Sequence, residues 1–496
     1  MSLTQKFDLP NGVSYEQPLG LFINGEFVKG KAGATFETIN PTNGKPICSV
    51  HEAREEDVDY AVICARKAFK KWRSVAPSER GTMLCKLADL FEENAKTIAS
   101  IEALDNGKSV GQALGDVALS AGTLRYYGGW ADKIHGKQID TNAESFAYTK
   151  QEPIGVCGQI IPWNFPIVLW AWKIGPCIAA GNVSVIKSAE QTPLSALYAA
   201  TLVQKAGFPP GVINILSGFG KTAGAAIASH MDIDKVAFTG STIVGRNIMK
   251  AAASSNLKKV TLELGGKSPN IVFNDADIAE AIKWVNFGIF YNHGQCCCAG
   301  SRIYVQEGIY DKFVSEFKKA AESNVVGDPF KDETFQGPQV SQLQFDRIMS
   351  YIKDGTDNGA TLVTGGKRKG TEGYFIEPTI FADVNEKMKI MQEEIFGPVC
   401  AISKFKDIED VVDKAHDTTY GLAAAVHTTN LNTAIKVSNM LNAGTVWVNQ
   451  YNALHYQLPF GGFKQSGIGR ELGKYALANY TQIKTVNINL QTNSGI

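Results

Sequence analysis

The run Asn292-His293-Gly294-Gln295-Cys296-Cys297-Cys298-Ala299-Gly300 concentrates the most reactive side chains of the protein. Three adjacent thiols cannot all aim at one metal from a regular backbone, and no neighbouring CxxC or HxxxH supplies the remaining ligands. No metal is therefore expected. The alternative chemistry is nucleophilic, a thiolate adding to an electrophilic carbon. A single buried cysteine is more often inert packing. The central thiol, Cys297, lies between glycines that permit close approach and is a better nucleophile candidate than its neighbours. His293 is the base that a thiol-hydrolase reading would need, although a histidine four residues before a cysteine more often packs or faces solvent.

Glycine-rich turns point to a second chemistry, the holding of phosphate. Gly218-Phe219-Gly220-Lys221-Thr222-Ala223-Gly224 follows a strand-like run and opens a helix-like one, as a dinucleotide site requires. Its spacing is GxGxxxG, not the usual GxGxxG. Phe238-Thr239-Gly240-Ser241-Thr242-Ile243-Val244-Gly245 also joins strand to helix, where free backbone N–H groups and the helix dipole favour an anion. Either turn alone is more often just a turn, because glycine is the default turn residue, but two in one sheet raise the case. Gly265-Gly266-Lys267-Ser268 ends like a phosphate-binding loop, yet Thr261 stands where its first glycine belongs, which removes the ATPase reading.

The elements that must carry these residues alternate. Short apolar runs, VCGQII, NVSVIK, GVINIL, DKVAFTG and KKVTLEL, are separated by segments long enough for helices, such as TPLSALYAATLVQKAGF. That is the pattern of an α/β protein with a parallel sheet, right-handed crossovers and ligands at the carboxyl ends of the strands. A second alternating set, NIVF, SRIYV, GLAAAVHT and AGTVWVN, predicts another α/β domain, with a boundary near Gly265-Gly266. Helical periodicity dominates the first 130 residues, as in 56 to 72 and 79 to 101. Residues 136 to 153 and the last seventeen alternate polar and apolar as orphan strands, which can pair with each other or with another subunit.

Composition bounds the function. The 496 residues are 44% hydrophobic and 20% charged, an ordinary globular balance long enough for about three domains. With 49 basic against 49 acidic side chains there is no footprint for a nucleic acid. Nine cysteines, an odd number thinly spread except at Cys296, Cys297 and Cys298, suit a reducing compartment, and the N-terminus has neither an apolar signal core nor an arginine, so the expected location is cytoplasmic. The most apolar stretch, 154 to 186, is broken by Pro162, Asn164, Pro166, Lys173 and Pro176, and no membrane span is expected.

Further fragments complete a constellation: Pro162-Trp163-Asn164-Phe165-Pro166, Glu263-Leu264-Gly265-Gly266-Lys267-Ser268-Pro269, Glu393-Glu394-Ile395-Phe396-Gly397-Pro398 and Pro459-Phe460-Gly461-Gly462-Phe463-Lys464-Gln465-Ser466-Gly467. Together with the cysteine run, in this order, they resemble the aldehyde dehydrogenase superfamily from about Gly20 to about Leu490. Within it the chain looks most like NAD-preferring cytosolic and mitochondrial enzymes that oxidise simple aldehydes, in a fungal version. The resemblance implies a Rossmann-like NAD-binding domain (1–134 and 154–265), an α/β catalytic domain (266–465) and a small β oligomerisation ribbon (135–153 and 480–496). It also implies a homo-oligomer, with a tetramer expected. Gln482 departs from the glutamate that related enzymes often carry in the ribbon.

Residue roles transfer by motif position. Cys297 matches the nucleophile, Asn164 and the Cys297 backbone N–H the oxyanion hole, and Glu263 the base that activates water against a thioester. For the coenzyme NAD, the resemblance implies Lys187 and Glu190 at the adenosine ribose, and Phe238, Gly240, Ser241, Val244 and Gly245 around the pyrophosphate. It implies Gly220 and Gly224 near adenine, Glu394 and Phe396 at the nicotinamide ribose, and Ile160, Pro162, Trp163 and Leu264 along the same path. Phe165, Leu169, Trp172, Tyr291, Cys296, Cys298, Leu454 and Phe460 match an aldehyde tunnel whose apolar lining favours uncharged aliphatic or aromatic aldehydes. Three rivals stand beside this reading: a cysteine hydrolase using His293, a binding protein that kept the fold and lost catalysis, and a coenzyme A-dependent acyl transferase. Intact Asn164, Glu263 and Cys297 argue against the second, and retention of Glu263 as a water activator against the third.

Overall fold

The strand Val156–Ile160 sits inside an eight-stranded sheet, parallel to Val183–Ser188 on one side and to Lys235–Thr239 on the other. This is a computed structural model of the protein, and it describes residues 2–490. From Val156–Ile160 the chain builds outward through Val183–Ser188 and Ile213–Ser217, then returns to add Lys235–Thr239 and Lys259–Glu263 on the opposite side. The order therefore reverses at Val156–Ile160. A reversal leaves a crevice beyond the carboxyl ends of the two strands flanking it, because their crossover helices leave in opposite directions. Asn164 and Gly240 follow those two ends.

The next strand, Pro269–Val272, belongs to a different sheet of seven strands, parallel except for Thr361–Thr364 at one edge. Residues 264–268 thus pass from one sheet to the other. The first sheet is completed from the far end of the chain, where Gly467–Ile468 pairs antiparallel with Lys259–Glu263. The helix Pro166–Ala179 is buried along its whole length and explains the apolar stretch: it packs inside the domain. Among the described residues no helix is long and apolar enough to cross a membrane.

The N-terminal region departs from its helical expectation. Before the first helix, Glu55–Trp72, come Thr4–Asp8, Ser14–Pro18, Leu21–Ile23, Glu26–Val28, Thr35–Asn40 and Lys45–His51, paired as hairpins. The tightest turns at Asn24-Gly25, both with positive φ (55° and 84°), the signature of a two-residue hairpin that helical periodicity does not register. The run 79 to 101 is two helices, Pro77–Glu93 and Ala95–Asp105, because Asn94 leaves helical geometry between them. Near the C-terminus, Thr481–Asn489 pairs antiparallel with Ser145–Pro153 over nine residues, and Gln138–Ile139 covers the other edge. The ribbon expected over 480–496 includes residues 491–496, which lie outside the described residues.

Candidate active site

The cysteine run is aimed by a strained turn. The helix Ile278–Phe290 stops, and Asn292 (φ 49°), His293 (φ 60°) and Gly294 (φ 71°) follow in left-handed geometry. For non-glycine residues such geometry costs on the order of 1–3 kcal/mol each and persists only where neighbours enforce it. Here the Asn292 side-chain amide enforces it, donating to the backbone carbonyls of Asn164 (2.9 Å) and Gln295 (3.0 Å). A Cβ on Gly294 would stand 2.0 Å from the Gly397 carbonyl oxygen, so only glycine fits. The turn delivers Cys297, partly exposed, into a cavity of about 410 Å³, with Cys296 and Cys298 buried on either side.

That cavity opens at the crevice of the first sheet. Asn164 lines it, one N–H of its amide donating to the Gln295 carbonyl (3.0 Å); an amide group has a second N–H to offer. Glu263 ends its strand facing the same space, with Oε1 buried and lacking any partner. Burial pushes the Glu263 carboxyl up to about 8; the Cys297 thiol beside it and Lys173 hold it lower, and Glu471 raises it. Lys173 and Glu471 form a buried ion pair. Thiol hydrogen bonding with Cys296 and Cys298, burial and the Glu263 charge hold the Cys297 thiol well above its ordinary range. The Glu263 carboxylate hydrogen-bonds this thiol, so an acceptor for its proton stands within reach.

Of the residues expected at an aldehyde tunnel, Phe165, Leu169, Trp172, Tyr291, Leu454 and Phe460 all line this cavity. Phe165 stacks on Tyr291 at 6.1 Å, and Trp172 meets Phe460 edge-on at 5.5 Å. Pro162, Trp163, Gly240, Ser241, Glu394 and Phe396 line the same cavity. Phe396 (φ 62°) meets the Trp163 ring edge-on at 5.2 Å. Glu394 Oε1 accepts from the Gly266 N–H at 3.1 Å, and burial raises its carboxyl to about 7. A Cβ on Gly265 would be 2.2 Å from Glu394, which accounts for that glycine.

The remaining expected residues lie behind or beyond the lining. Phe238 and Leu264 pack under Gly240 and Gly245, within 2.5 Å and 2.7 Å of where a Cβ would sit. Ile160 is paired in the sheet with Phe238 and Lys187, and Val244 is exposed on the helix Thr242–Ser254. Ser241 caps that helix, its hydroxyl accepting from the Val244 N–H (3.4 Å). Lys187 is buried; its ammonium donates to the Gly218 carbonyl (2.7 Å) and lies 3.7 Å from Glu190, and burial lowers it to about 8. The unusual glycine spacing forms a π-helical turn, Gly220–Gly224, in which the Gly224 N–H reaches the Phe219 carbonyl at 3.2 Å. The wider turn absorbs the extra residue, and Gly224 faces the Lys187 stem.

His293 does not join the cysteine. It is buried against Gly337, its Nδ1 paired with Gln295 at 3.3 Å, and burial lowers it to about 3. Among the described residues no cluster of metal-ligating side chains occurs. Sequence reasoning missed Asp116, Phe287, Gln344, Arg347 and Asn452, all of which line the cavity. Asn452 touches the cysteines themselves, accepting from the Cys298 thiol at 3.1 Å. An acid on the buried side of the helix Val110–Trp130 was the one signal that could have exposed Asp116.

A thiol, a carboxyl and an amide converging below a dinucleotide-like crevice narrow the comparison to enzymes built the same way. The sequence profile described as the aldehyde dehydrogenase family matches residues 27–486. An aldehyde dehydrogenase of Aspergillus niger is 71% identical over 482 residues, 97% of each chain. The human mitochondrial aldehyde dehydrogenase is 56% identical over 96% of this chain and 93% of its own. A Bacillus cereus aldehyde dehydrogenase solved as an NAD+ complex superposes with a TM-score of 0.94 at 51% identity, covering 95% of this chain and 97% of that one. With agreement in motif order, fold and sequence across nearly the whole length, the chain belongs to the aldehyde dehydrogenase family.

Proposed function

We propose that the protein oxidises uncharged aliphatic or aromatic aldehydes, acetaldehyde among them, to carboxylic acids with NAD, using Cys297 as nucleophile. The observation that carries this reading is the single cavity in which Cys297, Asn164, Glu263 and Glu394 meet beneath an aromatic wall. The Cys297 proton passes to Glu263 as sulfur bonds to the aldehyde carbon. The carbonyl π electrons move to oxygen, and that oxyanion is received by the Asn164 amide and the Cys297 backbone N–H, donors worth about 2.7–4 kcal/mol each in comparable sites. NAD, when bound, supplies the acceptor for the hydride that leaves this adduct. Loss of that hydride leaves a thioester on Cys297, and Glu263 releases the thiol proton to solvent; as a carboxylate again it takes a proton from water, whose oxygen attacks the thioester, the C–S electron pair returns to the Cys297 sulfur and the acid departs.

The residues present fit such a coenzyme. Thr239 Oγ is buried without a partner at the mouth of the turn before the helix Thr242–Ser254, where a phosphate oxygen would satisfy it. Glu190 and Lys187 suit the adenosine ribose, Gly220 and Gly224 the adenine side, and Glu394 the nicotinamide ribose. The eight-stranded sheet is then the coenzyme domain, the seven-stranded sheet the catalytic one, and the strands about 135–153 and 480–490 an oligomerisation ribbon in a tetrameric, cytoplasmic enzyme. A panel of aldehydes assayed for NADH release, with and without coenzyme A, tests the reading. NADH formed with acetaldehyde and NAD alone supports it. Strict dependence on coenzyme A would replace hydrolysis by acyl transfer, and no NADH from any aldehyde would overturn it.

A further inference from the structure

The turn between the helices Ala95–Asp105 and Val110–Trp130 reaches under the loop that carries Asn164. From it, Asn106 donates its side-chain N–H to the Trp163 carbonyl at 2.7 Å, and the Lys108 ammonium donates to the Asn164 carbonyl at 3.1 Å. The same Asn164 carbonyl receives the Asn292 amide from the cysteine loop. One oxygen thus ties together the residue bearing the oxyanion amide, the loop bearing Cys297 and a buried cation. Lys108 is 1% exposed. Its ammonium also ion-pairs with Asp116, stands 3.8 Å from Glu102 and lies 4.3 Å above the Phe165 ring. Asp116 lines the cavity, and its second oxygen accepts from the Tyr291 hydroxyl at 3.3 Å. A buried ammonium needs several acceptors to offset its desolvation, and here Asp116, the Asn164 carbonyl and the Phe165 ring all belong to residues that line the cavity, while the buried Glu102 does not.

We propose that Lys108 is a positioning residue for catalysis, holding the Asn164 amide in register with Cys297 through the Asn164 carbonyl and fixing the Phe165–Tyr291 wall through Asp116. It touches neither substrate nor coenzyme. The proposal rests on the oxyanion reading of Asn164. Replacing Lys108 lets the amide drift relative to the sulfur, and a displacement of about 1 Å in such a site is worth up to about 100-fold in rate.

The test compares Lys108→Met, Lys108→Arg, the double variant Lys108→Met/Asp116→Asn, and Asn164→Ala, using propanal and NAD. The double variant removes the nearer of the two carboxylates that the single one would strand, and burial already holds the other, Glu102, up at about 7, so that it can stay protonated; the carboxamide at 116 would still offer Tyr291 an acceptor, and the double variant carries the test should Lys108→Met fail to fold. The expected result is a first-turnover NADH release slowed about 10- to 100-fold in both methionine variants, expressed in kcat more than in KM, with partial rescue by arginine. NAD affinity and the rate of Cys297 alkylation by iodoacetamide, which needs no oxyanion donor, should stay within about 3-fold of wild type. A double variant that turns over at the wild-type rate while Asn164→Ala is slow overturns the role of Lys108 alone. Equal losses in NAD affinity, alkylation and turnover overturn it too, in favour of general scaffolding. Wild-type turnover in Asn164→Ala sinks the oxyanion reading and Lys108 with it.

Discussion

In the proposed mechanism Glu263 ties the chemistry to pH. Below about 8 its buried carboxyl holds a proton and cannot take one from water, so kcat should climb with pH and level off above that value. Glu263→Gln should remove this limb, lower kcat by about 10²–10⁴-fold and let an acyl-enzyme accumulate from labelled aldehyde; unchanged steady-state turnover would refute the assignment. The same shift has a stability sign. A carboxyl whose pKa is higher in the folded than in the unfolded chain favours unfolding as it ionises. The penalty therefore starts as pH rises through the ordinary carboxylate range and is complete near 8. The Tm advantage of Glu263→Gln over wild type should widen across that interval. Among the thiols, Cys297→Ala should abolish dehydrogenase activity while NAD still binds. Cys296→Ala and Cys298→Ala should keep turnover with altered aldehyde preference, because their sulfurs lie 3.5 Å apart on either side of Cys297 in the chain, in contact with Asn452. Equal loss at all three positions would make the motif structural.

At the scale of elements, the turn after Ile278–Phe290 matters more than the helix. Gly294→Ala meets both a positive φ and the Gly397 carbonyl. The backbone conformation alone should cost about 1–3 kcal/mol, and the contact adds to it, so the urea midpoint should fall and alkylation of Cys297 should slow as the loop relaxes. A variant with wild-type midpoint and wild-type thiol reactivity would show that the turn does not aim the sulfur. The first glycine turn makes a parallel point. Its spacing looks defective for a tight dinucleotide loop, but a π-helical turn at Gly220–Gly224 uses the added residue and brings the segment to Lys187.

At the scale of the molecule, the ribbon stands apart from both large sheets. Thr481–Asn489 lies against Ser145–Pro153, and Phe146, Ile483 and Ile488 remain exposed on it. Apolar side chains left exposed on a small separate sheet invite burial against another subunit. Truncation after Tyr480 should yield particles with fewer subunits than the full chain in sedimentation equilibrium; an unchanged number of subunits would assign assembly elsewhere. Gln482 belongs to this strand, its amide 3.5 Å from the Pro153 carbonyl.

Much of this protein is legible without coordinates, wherever the signal is local. A run of cysteines, glycines at strand-to-helix turns and alternating apolar segments stand out within a few neighbouring residues, and they led to the two sheets, while most of the cavity lining came from the resemblance that the ordered motifs carry. The N-terminal hairpins escaped because their strands are short and the nearby helical periodicity is strong. The electrostatics of the site escaped for a different reason. Lys173 meets Glu471 across 298 positions of chain, Lys108 meets the Asn164 carbonyl across 56, and Asn452 meets Cys298 across 154. Sequence alone determined which side chains could react and which turns could hold phosphate, since those properties belong to the residue and its immediate neighbours. Only the tertiary structure decided which carboxyl is desolvated, which carbonyl is clamped and which histidine is kept away. Burial and pairing are set by elements that meet in space, and no local pattern records those meetings.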